Sequence, residues 1–150
     1  MTDIVDPATR SRMMSGIRGK NTQPELRLRR FLHAEGFRFR LHDKRLPGKP
    51  DIVLPKWKVA IQVQGCFWHR HEGCRFATIP ATRPEFWAEK FAENVARDRR
   101  NLERLQAAGW RTAIIWECWL RGKDISSLVD TLCAWIGSGE QEFDFPLHED

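Results

Sequence analysis

Tyrosine, long apolar runs and internal repeats are all missing from this sequence. No apolar run approaches the roughly 18 residues that a transmembrane helix needs, which excludes a membrane span, and we expect no membrane partner. No fixed period is visible, so a repeat architecture is excluded as well. The first ten residues lack the apolar segment of a secretion signal, and we therefore expect a cytoplasmic protein.

Cysteine is also scarce. Four cysteines in 150 residues, without a secretion signal, favour metal ligation over disulfides. A chain of this length can bury about 68–70% of its unfolded surface and needs no disulfide to hold a core. With 41% apolar and 30% charged residues, the composition predicts one globular domain over residues 1–150. The acidic residues 138–150 are expected to form a flexible tail outside the core.

The charge is distributed unevenly along the chain. The first 50 residues carry 12 Lys and Arg against 5 Asp and Glu, whereas the last 50 carry 4 against 9. Most of the basic residues are Arg, whose planar guanidinium can bind phosphate with two parallel donors. This pattern favours an anionic partner, nucleic acid before membrane, although a basic solvated surface would give the same counts.

The predicted elements follow the order ααβββαβα, which favours an α/β fold with a mixed β-sheet flanked by helices. Periodicity and capping patterns predict helices over 7–16, 22–35, 82–107 and 127–136. Apolar runs predict strands over 37–42, 51–54, 59–63 and 112–116, and the last is apolar on both faces, as in a central strand. Residues 66–82 are expected to be irregular, and the third helix could break near Asn94.

The densest chemical signal is the segment 66–74, which reads CFWHRHEGC. Four candidate ligands are spaced C-x4-H-x2-C with a further cysteine after a predicted strand: Cys66, His71, Cys74 and Cys118. Zn²⁺ prefers thiolate and imidazole ligands, and a Cys3His set is typical of a structural site. Spacing alone does not decide whether His71 or His69 is the nitrogen ligand, and unrelated buried thiols remain the simpler alternative. The leftover Cys133 is expected in the core.

Four ionisable residues could serve a hydrolytic site, and each has a simpler alternative. Asp51, at the start of a strand, could hold Mg²⁺ near a phosphate or cap its own turn. Glu25 is the acid of a capping box that could also face a metal. Asp98 lies in a charged helical run, where a surface ion pair is the common outcome. His69 could act as a general acid or base, or support the zinc loop.

Seven Trp and nine Phe form an unusual aromatic set. Flat apolar rings can stack on bases or wedge into a duplex. Most aromatic residues of any domain lie in its core, however, and composition does not decide between the two.

Together these motifs resemble those of the very short patch repair endonucleases, in order and spacing, over roughly residues 7–136. The matching segments are 8–12 with Met14, 50–51, 65–69, 80–87, 94–100, 109–111 and 116–118. The resemblance implies a fold similar to the type II restriction endonucleases, with the mixed sheet of the PD-(D/E)XK nucleases. Members of that family nick DNA 5′ of the thymine in T:G mismatches, which arise when 5-methylcytosine deaminates.

The resemblance also implies cofactors and partners. Mg²⁺ would be catalytic and Zn²⁺ structural, and the substrate would be double-stranded DNA with a T:G mismatch. A MutL-type repair protein is a partner known for the family. We expect a monomer, because a single-strand nick requires one active site, and a bacterial cytoplasmic protein that acts at the nucleoid.

Roles for single residues follow from the same resemblance. Asp51 and the backbone carbonyl of Val63 would contact Mg²⁺, and Glu25 would reach the water shell of the ion. His69 would activate the attacking water, and Asp98 would orient or polarise the histidine. The structural zinc ligands would be Cys66, His71, Cys74 and Cys118. An aromatic wedge of Phe67, Trp68 and Trp87 would enter the duplex, with Met14 of the DNA-contacting arm 1–20 entering from the opposite groove.

The chain departs from the nuclease pattern at residues 62–64, which read Gln-Val-Gln. The (D/E)-x-K half of the motif is absent, as is typical of the family, but Gln64 also replaces a histidine that the family commonly carries. An amide cannot exchange protons near neutral pH, although it can orient a water or phosphate. Two alternatives therefore remain: a DNA-binding zinc module of the same fold with weak or lost cleavage, and a restriction-type nuclease with another target. Intact Asp51, His69 and Asp98 favour an active enzyme over the first alternative. The aromatic set favours mismatch reading over the second.

Overall fold

The computed structural model describes residues 22–143. Its elements are α1 (Gln23–Ala34), β1 (Arg40–Leu41), β2 (Ile52–Leu54), β3 (Val59–Gln64), α2 (Pro84–Ala107), β4 (Arg111–Trp116) and α3 (Ser126–Ser138). Short 3-10 helices follow β2 and β4, at Pro55–Trp57 and Glu117–Leu120. The predicted helix 7–16 and Met14, like the rest of the arm, lie outside the described residues, as do residues 144–150.

The strands form one mixed four-stranded sheet in the order β1-β2-β3-β4. The first two pairings are antiparallel, and β3 pairs with β4 in parallel over the register Val59↔Arg111 to Gln64↔Trp116. A parallel pair needs a crossover connection, and α2 lies in that connection. The predicted order of elements and the mixed sheet are confirmed over the described residues.

The main core lies between the sheet and the pair α1 and α3. Leu28 and Leu32 of α1 and Leu132 of α3 are fully buried there, together with Ile52 and Ile61 of the sheet. Because side chains alternate across a strand, Val53 and Ala60 point to the opposite face of the sheet, where they too are buried. The partly buried Cys133 packs against this core, as predicted.

The helix boundaries follow the capping chemistry at some ends and depart from it at others. Thr22 is the N-cap of α1, and its hydroxyl accepts the Glu25 N–H at 3.5 Å. The second capping-box prediction, at Thr82, is wrong, because Arg83 takes the cap position with a positive φ of 54° and no side-chain cap. The helix α2 then runs to Ala107 without the break considered near Asn94.

The strand predicted over 37–42 is wrong in extent, since only Arg40 and Leu41 pair with β2. Phe37 and Phe39 instead pack partly buried against the core, which explains the alternating pattern of that segment. Two apolar residues of α2, Phe86 and Val95, are 45% and 42% exposed.

The prediction that 112–116 is a central strand is also wrong, because β4 lies at the edge of the sheet. The segment that follows α3 runs beside it: the Thr112 N–H donates to the Gln141 carbonyl, and the Phe143 N–H donates to the Thr112 carbonyl. Residues 141–143 therefore pair with β4 instead of forming part of a tail, and Phe143 packs against the core, whereas residues 138–142 are exposed. No helix within residues 22–143 is long and apolar enough to cross a membrane.

Candidate active site and metal centre

A cleft of about 410 Å³ opens at the end of β3. The start of α1, the loop before β2, the residues that follow β3 and the middle of α2 line it. Gly48 is what allows this loop to approach α2, because its φ is +73° and an added Cβ would lie 2.9 Å from the Asn101 side chain. The residue after it, Lys49, also has a positive φ, of 48°, and lines the cleft beside Asp51.

Asp51 precedes β2, and the antiparallel register places it next to the C-terminal end of β3. Its Oδ2 accepts the backbone N–H of Val63 at 2.8 Å. Burial and, to a smaller extent, the nearby Glu25 carboxylate raise the pKa of Asp51 to about 6, although the Val63 N–H favours the ionised carboxylate. Such a buried carboxylate in a cleft is poised to take up a cation. The predicted contact of the Val63 carbonyl with a metal stays a prediction.

Glu25 lies close to Asp51 and is 2% exposed. Its Oε1 lies 2.7 Å from His42 Nε2 and 3.1 Å from Arg29 Nη2. Glu25, His42 and Asp51 each place one ligand atom within 4.8 Å of the others, so together they could hold a metal ion.

Sequence reasoning missed His42. The backbone N–H of His42 donates to the Asp51 carbonyl at 3.0 Å, just beyond the two paired residues of β1. A hairpin register for β1 and β2 would have placed the two residues opposite each other. The apolar pattern of residues 37–42 carried no such information.

His69 and Asp98 form a hydrogen-bonded pair on another wall of the cleft. His69 Nδ1 lies 2.6 Å from Asp98 Oδ2, and the two side chains are 26% and 19% exposed. This distance assigns the proton to Nδ1, which leaves Nε2 as the atom able to accept another proton. Asp98 therefore contacts the histidine that it was expected to orient.

Gln64 is 4% exposed at the end of β3 and also lines the cleft. Its Nε2 donates to Gln62 Oε1 at 3.2 Å. The amide is thus held by a neighbour on the same strand.

The three aromatic residues predicted as a wedge contact one another beside the cleft. The ring of Phe67 lies 4.9 Å from Trp68 and 5.9 Å from Trp87, and the two tryptophans are 5.9 Å apart. All three are half-buried. Trp68 lines the cleft, and the buried Asn94 donates to its carbonyl at 3.4 Å.

Arg70 fixes the aromatic loop from within. Its guanidinium donates to the carbonyls of Phe67, Ala77 and Thr78 at 3.2, 2.9 and 2.9 Å. It also lies 4.0 Å from the ring centroid of Phe91. A charged side chain thereby supplies much of the hydrogen bonding of a segment that was correctly expected to be irregular.

The four predicted zinc ligands lie close together, three of them in segment 66–74 and the fourth just after β4. The ligand atoms of Cys66, His71, Cys74 and Cys118 all lie within 4.8 Å of one another, and Cys118 Sγ is 3.4 Å from His71 Nδ1. His71, rather than His69, joins the cluster, and its ring stacks on Trp116 at 4.2 Å.

Burial makes thiolates in this cluster unfavourable unless a cation is bound. Burial raises the pKa of Cys118 to about 12 and also raises that of Cys66. Burial lowers the pKa of His71, which keeps the imidazole neutral and able to bind a metal. Burial opposes ionisation at Cys74 too, but hydrogen bonds, the backbone bond at Phe76 foremost, leave its pKa lowered. A bound dication would compensate for thiolates that burial alone disfavours.

The sequence and the structure were compared with known proteins. The family model described as DNA mismatch endonuclease Vsr matches residues 2–75. The DNA mismatch endonuclease Vsr of Escherichia coli (strain K12) is 46% identical over 91% of this chain and 88% of its own. The type II nicking enzyme V.XorIIP of Xanthomonas oryzae pv. oryzae is 48% identical over 79% of this chain and 86% of its own.

A third relative, the type II nicking enzyme V.NmeAIP of Neisseria meningitidis serogroup A, is 44% identical over 83% of this chain and 89% of its own. Among solved structures, the catalytic domain of the homing endonuclease I-Bth0305I matches with a TM-score of 0.55 at 22% identity, over 79% of this chain and 98% of that domain. The structural match shows a shared fold. The identity and coverage of the sequence relatives show that this chain belongs to the Vsr family of DNA mismatch endonucleases.

Proposed function

We propose that this protein nicks double-stranded DNA on the 5′ side of the thymine in a T:G mismatch and so initiates very short patch repair. The observation that carries the proposal is that Asp51 and the His69–Asp98 pair line one cleft, with the aromatic cluster at its edge. The names of the relatives, a mismatch endonuclease and nicking enzymes, support both the reaction and its restriction to one strand.

The donor set of the cleft fits a hard divalent cation, because carboxylate oxygens and backbone carbonyls are the ligands of Mg²⁺. Asp51 would hold the ion together with the Val63 carbonyl, and Glu25 would contact its water shell. When bound, Mg²⁺ would polarise a phosphoryl oxygen and stabilise the charge that develops on the leaving oxygen.

His69 is the proposed general base. Asp98 holds Nδ1–H, so the lone pair of Nε2 is the acceptor for the proton of an attacking water. The same contact stabilises the imidazolium that forms when the proton arrives. Gln64 cannot take this proton, but its amide can orient the water or a phosphate oxygen.

Phe67, Trp68 and Trp87 are the proposed wedge. A T:G wobble pair stacks poorly on its neighbours, so opening it costs less than opening a Watson–Crick pair, where unstacking costs a few kcal/mol per step. Insertion of the rings therefore discriminates in favour of the mismatch. Met14, which lies outside the described residues, is proposed to insert from the opposite groove.

The cluster of Cys66, His71, Cys74 and Cys118 is proposed to bind Zn²⁺ in a structural role. Its donor set matches a closed tetrahedral site, and it connects the aromatic loop to the end of β4. The ion would therefore fix the loop that carries Phe67 and Trp68 of the wedge together with His69.

Further proposals concern the type of fold, the domain organisation, the cellular location and a protein partner. The four-stranded sheet is proposed to be a restriction-endonuclease-like core of the PD-(D/E)XK type, and residues 1–150 to form one endonuclease domain with a DNA-contacting arm at 1–20. The protein is proposed to act as a monomer at the bacterial nucleoid in the cytoplasm, and a MutL-type protein to be a partner.

A nicking assay with Mg²⁺ tests the proposal on three end-labelled duplexes. One carries T:G in a CTWGG-type context, the second carries C:G at the same position, and the third carries T:G in scrambled flanks. We expect a nick 5′ of the mismatched thymine in the first duplex and none in the second. Nicking of both T:G duplexes would support the mechanism and show that the flanking sequence is not required. Binding without nicking would favour the alternative of a DNA-binding zinc module, with Gln64 as the lost catalytic group.

A further inference from the structure

The imidazole of His42 stands between the two carboxylates of the proposed metal site. Its Nε2 lies 2.7 Å from Glu25 Oε1 and 3.8 Å from Asp51 Oδ1, and the side chain is 10% exposed. The roles that the family resemblance implies for the metal site do not include this nitrogen, and the sequence motifs gave no reason to single it out.

The orientation of the ring is fixed by its neighbours. Nε2 is also 3.3 Å from Arg29 Nη2, but a guanidinium only donates, and the close Glu25 oxygen only accepts when ionised. The 2.7 Å contact therefore has Nε2 donating to Glu25, with Arg29 paired to the same carboxylate. The nitrogen thus points at the oxygen atoms that would surround a cation.

The backbone holds this arrangement in place. The His42 N–H donates to the Asp51 carbonyl at 3.0 Å, so the two residues cannot move apart without breaking the end of the sheet. Asp51 Oδ2 is engaged by the Val63 N–H, which leaves Oδ1 on the side that faces His42.

The distances suit a shared ion. Ligand atoms about 2.1 Å from an octahedral dication and at right angles lie about 3 Å apart. The observed separations of 2.7 and 3.8 Å bracket this value, so small side-chain movements would bring all three atoms onto one ion. An imidazole nitrogen is a poorer partner for Mg²⁺ than for the softer transition metals such as Mn²⁺ or Co²⁺.

We propose that His42 is a direct nitrogen ligand, through Nε2, of the divalent cation that Asp51 and Glu25 hold, and that it shifts the preference of this site from Mg²⁺ toward Mn²⁺. On binding, the cation would replace the hydrogen that Nε2 donates to Glu25, and the neutral imidazole would carry its hydrogen on Nδ1 instead. The proposal rests on the proposed function, since it concerns the metal of the same active site. It also adds a metal-binding imidazole to a cleft in which Gln64 offers only an amide.

Pulsed electron paramagnetic resonance of Mn²⁺ bound to the zinc-loaded protein tests this directly, because a directly bound imidazole gives ¹⁴N modulation. We expect this modulation in the parent protein and its loss in His42→Gln. A second variant, His42→Asn, guards against misfolding, because Asn tolerates the positive φ of 47° at this position. The matched control is His69→Gln, which removes the other imidazole of the cleft and should leave the ¹⁴N signal intact.

Affinity gives a second readout. His42→Gln should weaken Mn²⁺ binding about tenfold or more while changing Mg²⁺ binding much less, as measured by competition in the same spectra. Absence of ¹⁴N modulation in the parent protein, absence of Mn²⁺ binding, or retention of the signal in both His42 variants would each overturn the proposal.

The two hypotheses fail separately. Nicking of T:G duplex by a parent protein without ¹⁴N modulation would reject His42 as a ligand and leave the proposed function standing. A ¹⁴N signal that depends on His42, in a protein that nicks no T:G duplex with Mg²⁺ or Mn²⁺, would support the metal site and reject the function.

Discussion

Replacing Asp51 by Asn should abolish nicking and, unusually for an active-site change, stabilise the metal-free fold at pH 8. The folded protein raises the pKa of this carboxyl from 3.8 to about 6. A carboxyl with a raised pKa contributes stability that is present below pH 4 and is lost as the pH rises through 6. At pH 8 the charged carboxylate therefore lowers the free energy of unfolding, and a neutral Asn removes that cost while its Oδ1 can still accept the Val63 N–H.

The size of the effect follows from the pKa. One pKa unit corresponds to 1.36 kcal/mol, so a rise of about 2 units amounts to about 3 kcal/mol before solvent screening. The side chain is 28% exposed, and we therefore expect a gain of about 1–3 kcal/mol in the variant. For a chain of this length this corresponds to a Tm increase of roughly 3–10 °C.

The assay is urea unfolding of zinc-loaded protein at pH 8 and at pH 4, without Mg²⁺. The stabilisation should be present at pH 8 and nearly vanish at pH 4. Asp43→Asn is the matched control of opposite sign, because hydrogen bonds from Arg45 lower the pKa of that carboxyl and its loss should destabilise at pH 8. A variant that is no more stable than the parent at pH 8 would refute the account of Asp51, and nicking at the parent rate would refute its role as a metal ligand.

Three other substitutions test the wedge, the proton acceptor and the zinc cluster. Trp68→Ala should reduce the preference for T:G over C:G duplex more than it reduces overall affinity, as measured by binding titrations; equal losses on both duplexes would argue against a wedge. Asp98→Asn should slow single-turnover nicking about 10²–10⁴-fold with little change in DNA affinity, because the wrong tautomer of His69 is favoured; an unchanged rate would show that the contact has no part in proton transfer. Cys118→Ser should lower both bound zinc, measured by elemental analysis, and the Tm, whereas Cys133→Ser should keep the zinc; full zinc in the first variant would contradict the ligand set.

Most candidate residues of the site could be predicted from the sequence, because they are rare residue types that occur in motifs with fixed spacing. The three cysteines of the cluster, the order of elements over the described residues and the family could all be predicted. The choice between His71 and His69 could not, because both stand within one short loop. Only the fold shows that one ring turns to the thiols while the other turns to Asp98.

Edges and ends of the sheet were predicted less well. An apolar strand can be central, or it can lie at an edge that another segment covers, and β4 is the second case because residues 141–143 run beside it. The pairing of β1 is short, since Phe37 and Phe39 leave the sheet to pack against the core.

Local periodicity and motif spacing are properties of the chain, so they were enough to predict the order of elements, most of the candidate site residues and the family that the chain resembles. The tertiary fold, in contrast, sets which ionisable side chains lie close to one another. His42 and Asp51 are nine positions apart in the segment between β1 and β2, and Glu25 lies in helix α1. Their ligand atoms nevertheless all lie within 4.8 Å of one another. That proximity depends on strand register and on a loop that passes close to α2 at Gly48, and neither can be read from composition or spacing.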